Sequence, residues 1–154
     1  MLKFFWMFSI VTFSVFSAYS AGDRLDFSRL EFASLAGQRI DWQAGSDKKL
    51  IYFWATWCSE CRGKLLHELV ELDKRNDVDV LTVSIDKDSK RIAHFLKKNE
   101  ILLPVAVEVN RYLQQEFSIV SVPYWMTFKK FDGVWKLGPK ASSYDAKKIK
   151  EALR

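Results

Sequence analysis

The chain has 154 residues and carries 24 Lys+Arg against 19 Asp+Glu, a formal net charge of +5. With 49% hydrophobic and 15% aromatic residues, it is rich enough for one domain with its own core; a disordered chain and two ordinary domains are both excluded. The lysines fall in small scattered groups, Lys48-Lys49, Lys97-Lys98, Lys129-Lys130 and Lys147-Lys148 with Lys150, which reads as a solvated surface rather than a nucleic-acid or lipid patch.

The first twenty residues stand apart from the rest. Lys3 precedes an almost wholly apolar run, Phe4 to Phe16, and Ser17 to Ala21 is small and turn-prone. Ala18 and Ser20 suit the positions before a cut, leaving Ala21 as the first mature residue, so residues 1–20 have the pattern of a secretory signal peptide. The run is short for a membrane span, and an uncleaved anchor is the alternative. No cysteine follows it, which excludes a lipid-anchored cysteine.

Leu25 to Gln43 has the alternation of a short β-hairpin, turning at Leu35-Ala36-Gly37-Gln38. Gly45-Ser46-Asp47 breaks the pattern. Leu50 to Ala55 is a continuous apolar run, the signature of a strand buried on both faces. Cys61 to Arg75 predicts a helix, with Leu65, Leu69 and Leu72 on one face joined by Leu66 and Val70, and with His67 on the polar side. Val78 to Ile85 is the next strand. A helix from an N-cap at Asp88 or Ser89 to Asn99 follows, with Ile92, Phe95 and Leu96 inward. Leu102 to Val107 is a short extended segment, and Arg111 to Phe117 a brief helix. Ser121-Val122-Pro123 interrupts before a strand from Tyr124 to Phe131. Asp132-Gly133 is a hairpin signal with Val134 to Leu137 returning, and Gly138-Pro139 breaks again. Tyr144 to Arg154 is a terminal helix with Ala146, Ile149 and Leu153 inward. The order predicts an α/β fold: a mixed central sheet covered by helices on both faces.

The chemistry-bearing motif is Trp54-Ala55-Thr56-Trp57-Cys58-Ser59-Glu60-Cys61, which holds both cysteines of the chain. The C-x-x-C lies between a buried strand and a helix, where the helix dipole and unpaired first-turn N–H groups favour a thiolate. That points to dithiol–disulfide exchange. A structural staple is the weaker reading, because a Cys58–Cys61 bridge closes a tiny loop and holds nothing distant together. Zinc wants four ligands, and neither His67 nor His94 has ligand spacing to the pair. Haem attachment wants a histidine directly after Cys61, where Arg62 stands.

On these residues, together with Tyr52-Phe53, Val122-Pro123, Asp132-Gly133 and Gly138, the chain resembles the thioredoxin superfamily. Within it the chain is most similar to the exported TlpA/ResA/CcmG-type thiol–disulfide oxidoreductases. The resemblance covers residues 27–154 and implies a thioredoxin-like fold with an N-terminal β-hairpin and a βα unit inserted between the first helix and Pro123. It implies a cis Val122–Pro123 peptide, beside which an extended client segment pairs. It implies Cys58 as nucleophile, Cys61 as resolving thiol, and Trp57, Val122 and Pro123 as the client-binding surface. No cofactor beyond the redox-active Cys58–Cys61 disulfide and no metal is implied. The implied partners are protein dithiol or disulfide clients, apocytochrome c thiols among them, and a membrane thiol reductant. Nucleic acid is not a partner, and a membrane is one only if the N-terminal segment stays uncleaved. The setting is periplasmic or otherwise exported. An oxidase or isomerase of the same fold and a metal- or client-holding module are the alternative functions.

Three positions depart from the family pattern. Glu60 replaces a common proline, and a carboxylate beside the pair opposes thiolate formation, which pushes the couple toward reducing character. Arg62 acts in the opposite sense. Tyr52 occupies a strand position often held by a buried Asp; a phenol is a poor base near neutral pH, which makes Glu60 a candidate for proton transfer to and from Cys61. Gly63 lies within the expected first helix at a cost of about 1 kcal/mol against Ala.

Overall fold

A computed structural model of the chain describes residues 25–62, 64–75 and 77–154. The signal-like segment 1–20, Gly63, and the side chains of Leu65 and Leu66 lie outside the described residues.

A 3-10 turn, Phe27–Arg29, leads into β1 (Phe32–Ser34) and β2 (Arg39–Ile40), a hairpin smaller than its alternation suggested. The central strand β3 is Lys48–Trp54, and α1 (Lys64–Asp73) leads to β4 (Asp79–Ser84). The inserted unit follows as α2 (Ser89–Lys98) and β5 (Val105–Glu108), then α3 (Tyr112–Glu116). The hairpin β6 (Tyr124–Phe131) and β7 (Val134–Ala141) precedes α4 (Ala146–Ala152). One seven-stranded sheet results, in the order β2-β1-β5-β4-β3-β6-β7. β3, β4 and β5 are parallel; β6 is antiparallel to β3, and β1 to β5.

Alternation along β3 splits the core in two. Leu50, Tyr52 and Trp54 pack with Leu69 and Leu72 of α1, Ile92 of α2 and Ile149 of α4. Ile51 and Phe53 pack on the opposite face with Tyr112 and Leu113 of α3 and with Trp42, Phe128 and Trp135. Such fully buried aliphatic and aromatic side chains each contribute about 1.5–3 kcal/mol. Helix starts are fixed by carboxylates: Asp88 accepts from the N–H groups of Lys90 and Arg91, and Asp145 from those of Lys147 and Lys148. The buried Glu108 does the same for α3, accepting from the N–H groups of Leu113 and Gln114. Burial nevertheless leaves its carboxyl above the ordinary carboxylate range.

Two expected boundaries moved. The first helix begins at Lys64, not Cys61, because residues 55–62 close successive tight turns: Cys58 N–H donates to Ala55 O, and Cys61 N–H to Cys58 O. Gly138-Pro139 does not end its strand, because it forms a β-bulge. Met126 pairs with Lys140 and Phe128 with Leu137, so Gly138 and Pro139 together face Thr127. A bulge leaves a residue unpaired, which suits a proline without an N–H. Thr127 Oγ1 donates to Pro139 O at 3.1 Å. A Cβ on Gly138 would fall 2.5 Å from that hydroxyl, so the close approach requires glycine.

Candidate active site

β3 ends where the chain order of the sheet reverses, with β4 on one side and β6 on the other. The crevice beyond the carboxyl ends of strands at such a point is where open α/β sheets place their chemistry. The turn that follows is clamped from the neighbouring strand. Trp54 pairs with Ser84, and two residues further on Asp86 meets Thr56. Its Oδ2 accepts from Thr56 N–H at 2.7 Å and from Ser84 Oγ at 3.0 Å, and its Oδ1 accepts from Thr56 Oγ1 at 2.9 Å. Sequence reasoning missed Asp86 and Thr56. The available signal was the parallel registration of β3 and β4, which brings the residues just past each strand together.

Beyond that clamp, Cys58 and Cys61 form a disulfide with Cα atoms 5.2 Å apart. Cys58 is 6% exposed and Cys61 is fully enclosed, so Cys58 is the more accessible of the two. Cys61 N–H points at Cys58 Sγ from 3.1 Å, and Val122 O lies 3.6 Å from the same sulfur. The Cys61 amide lies in the turn before α1, whereas the sequence pattern places the donors in the first helical turn. Val122–Pro123 is a cis peptide, and it joins the cysteines at one place. Trp57, 55% exposed, stands beside them.

Glu60 is exposed on the turn between the cysteines. Tyr52 is fully buried in the core that also contains Cys61, and among the described residues its hydroxyl has no hydrogen-bond partner. Burial, reinforced by Tyr144 and Glu60, holds its phenol far above the ordinary tyrosine value, so it stays protonated at any physiological pH. The side chain therefore offers a proton donor and no base. Tyr144 donates its hydroxyl to Glu68 on α1, and burial together with that carboxylate also raises its phenol. Among the described residues no group of three or more His, Cys, Asp or Glu side chains is placed to hold a metal, and no helix is long and apolar enough to cross a membrane.

A mixed sheet with parallel strands ending in a hairpin, a C-x-x-C past the central strand and a prolyl peptide facing it define a thioredoxin fold with a redox-type centre. The family model for thioredoxin-like proteins matches residues 46–133, and the chain belongs to that family. It is 21% identical over 95 residues to sporulation thiol-disulfide oxidoreductase A of Bacillus subtilis, a match covering 58% of each chain. To the thiol-disulfide oxidoreductase ResA of Oceanobacillus iheyensis it is 22% identical over 110 residues, 70% of this chain and 53% of the relative. The match thus spans little more than half the length of these curated relatives. Among solved structures, the crystal structure of StoA from Bacillus subtilis superposes with a TM-score of 0.63 at 20% identity, covering 81% of this chain and 95% of that one.

Proposed function

We propose that the chain is a thiol–disulfide oxidoreductase of the cell envelope that reduces disulfides in client proteins. The observation that carries this reading is the Cys58 sulfur: the less enclosed of the pair at 6% exposure, bonded to a fully enclosed Cys61, and faced by the Cys61 N–H and Val122 O. The Cys58 thiolate attacks a client disulfide; a Cys58–client bond forms and one client sulfur leaves as thiolate. The Cys61 thiolate then attacks Cys58 Sγ, restoring the internal disulfide and releasing the second client thiolate. Two electrons pass to the client, and a membrane thiol reductant returns them. Trp57, Val122 and Pro123 form the client surface, where the Val122 backbone pairs with an extended segment. Glu60, a carboxylate next to Cys61 in the chain, exchanges the Cys61 proton through water; a Glu60→Gln variant with an unchanged pH–rate profile for Cys61 attack would remove that role.

Residues 1–20 act as a signal peptide and 27–154 as the working domain, which places the reaction outside the cytoplasm. Apocytochrome c thiols before haem attachment are the client class that the ResA resemblance favours. The deciding measurement is the reduction potential of Cys58–Cys61. A value near or below about −270 mV supports a reductase, and one near −120 mV makes the chain a disulfide donor instead. A pair that fails to cycle replaces both with client or metal holding.

A further inference from the structure

Lysines that are scattered in the sequence converge in the fold. Lys48 of β3 pairs in register with Lys129 of β6, which pairs with Lys136 of β7. Three like charges thus stand in one cross-strand row, an arrangement that destabilises a sheet unless something outside it answers the charge. Lys48 donates to Arg154 O at 3.2 Å and has Asp77 at 3.9 Å. Lys129 and Lys136 ion-pair with no carboxylate among the described residues. Just beyond the row, the hairpin tip exposes Phe131 by 52% and Val134 by 60%, with Lys136 Nζ over the Phe131 ring at 5.6 Å. Asp132, in the turn, is the acidic group at this tip.

The row lies at the amino end of β3, and Cys58 follows the carboxyl end. The seven-residue strand β3, which Lys48 begins, spans most of the distance between them, roughly 20 Å.

We infer that this end of the sheet is a docking surface for an anionic lipid bilayer. Lys48, Lys129 and Lys136 face lipid phosphates, and Phe131 and Val134 enter the headgroup boundary. The cysteine pair then faces away from the bilayer, toward clients.

The test uses the full chain reconstituted in phosphatidylcholine vesicles with and without phosphatidylglycerol, read by amide hydrogen exchange. Exchange over residues 129–136 slows only with the anionic lipid, while residues 57–61 are unchanged. Lys129→Gln and Lys136→Gln each lower the docked-to-free ratio about fivefold, with thiol–disulfide turnover in solution unaltered. Equal exchange in both vesicles overturns the proposal, as does protection that survives the double variant. Equal protection by soluble polyphosphate without vesicles overturns it too, because the site would then be one for polyanions in general. None of these outcomes bears on the redox reading, which the turnover assay reports separately.

Discussion

At its carboxyl end β3 runs into Thr56, Trp57 and Cys58, where Asp86 accepts three hydrogen bonds and a disulfide fixes the turn. At its amino end the same strand carries two lysines with different fates. Lys49 is buried, donating to Asp79 and to Ala44 O. Lys48 joins the half-buried Lys129 and the exposed Lys136 in one row. The difference follows from what each end meets. Exchange at sulfur needs a nucleophile held to within fractions of an ångström, so polar groups there are tied to one another. At the other end, fewer polar groups are tied to one another, and Lys129 and Lys136 ion-pair with no carboxylate among the described residues.

The largest test of this contrast lies at the carboxyl end. Cys58→Ser should reduce turnover to background, and Cys61→Ser should accumulate a client mixed disulfide visible on non-reducing gels. Turnover by Cys61→Ser at the parent rate would remove the resolving step. Next, Asp86→Ala leaves the Thr56 N–H and two hydroxyls unanswered; chemical denaturation of the oxidised protein should show a loss of about 3 kcal/mol. A loss below half of that would mean the clamp is ornamental to the fold. At the amino end, Lys49→Met breaks a pair whose acid, Asp79, is half exposed and regains water, so the same measurement should show a smaller loss, about 1–2 kcal/mol. If Lys49→Met costs more than Asp86→Ala, the order of the two ends is reversed.

The smallest effect belongs to Glu108. Burial raises its folded carboxyl above the unfolded value, so its contribution is fullest below the unfolded pKa and is lost as pH rises through the folded one. The stability difference between parent and Glu108→Gln should therefore move in the variant's favour from pH 4 to pH 7, and a flat difference would contradict the shift.

Local signals carried most of the architecture. The apolar run of β3, the Asp88 cap, the Asp132-Gly133 hairpin and the C-x-x-C were legible because each depends on neighbours within a few residues. What escaped depends on pairing at a distance. Asp86 reaches Thr56 across 30 residues, and the row Lys48–Lys129–Lys136 exists only once β3, β6 and β7 are in register. The start of α1 shifted because turn hydrogen bonds and a disulfide outweigh helical periodicity over residues 55–62. Gly138-Pro139 looked like a stop because a bulge has no signature apart from the strand opposite it.

That bulge also governs how the molecule meets copies of itself. β7 is the outermost strand on its side of the sheet, and β2, only two residues long, closes the other. A foreign strand laid against β7 would find the regular ladder of donors and acceptors interrupted midway, on a ribbon twisted by the extra residue and flanked by Lys136 and Lys140. Neither rim offers a template long enough for strand-by-strand polymerisation, so the chain should stay dispersed at concentrations where an unbroken edge would seed fibres.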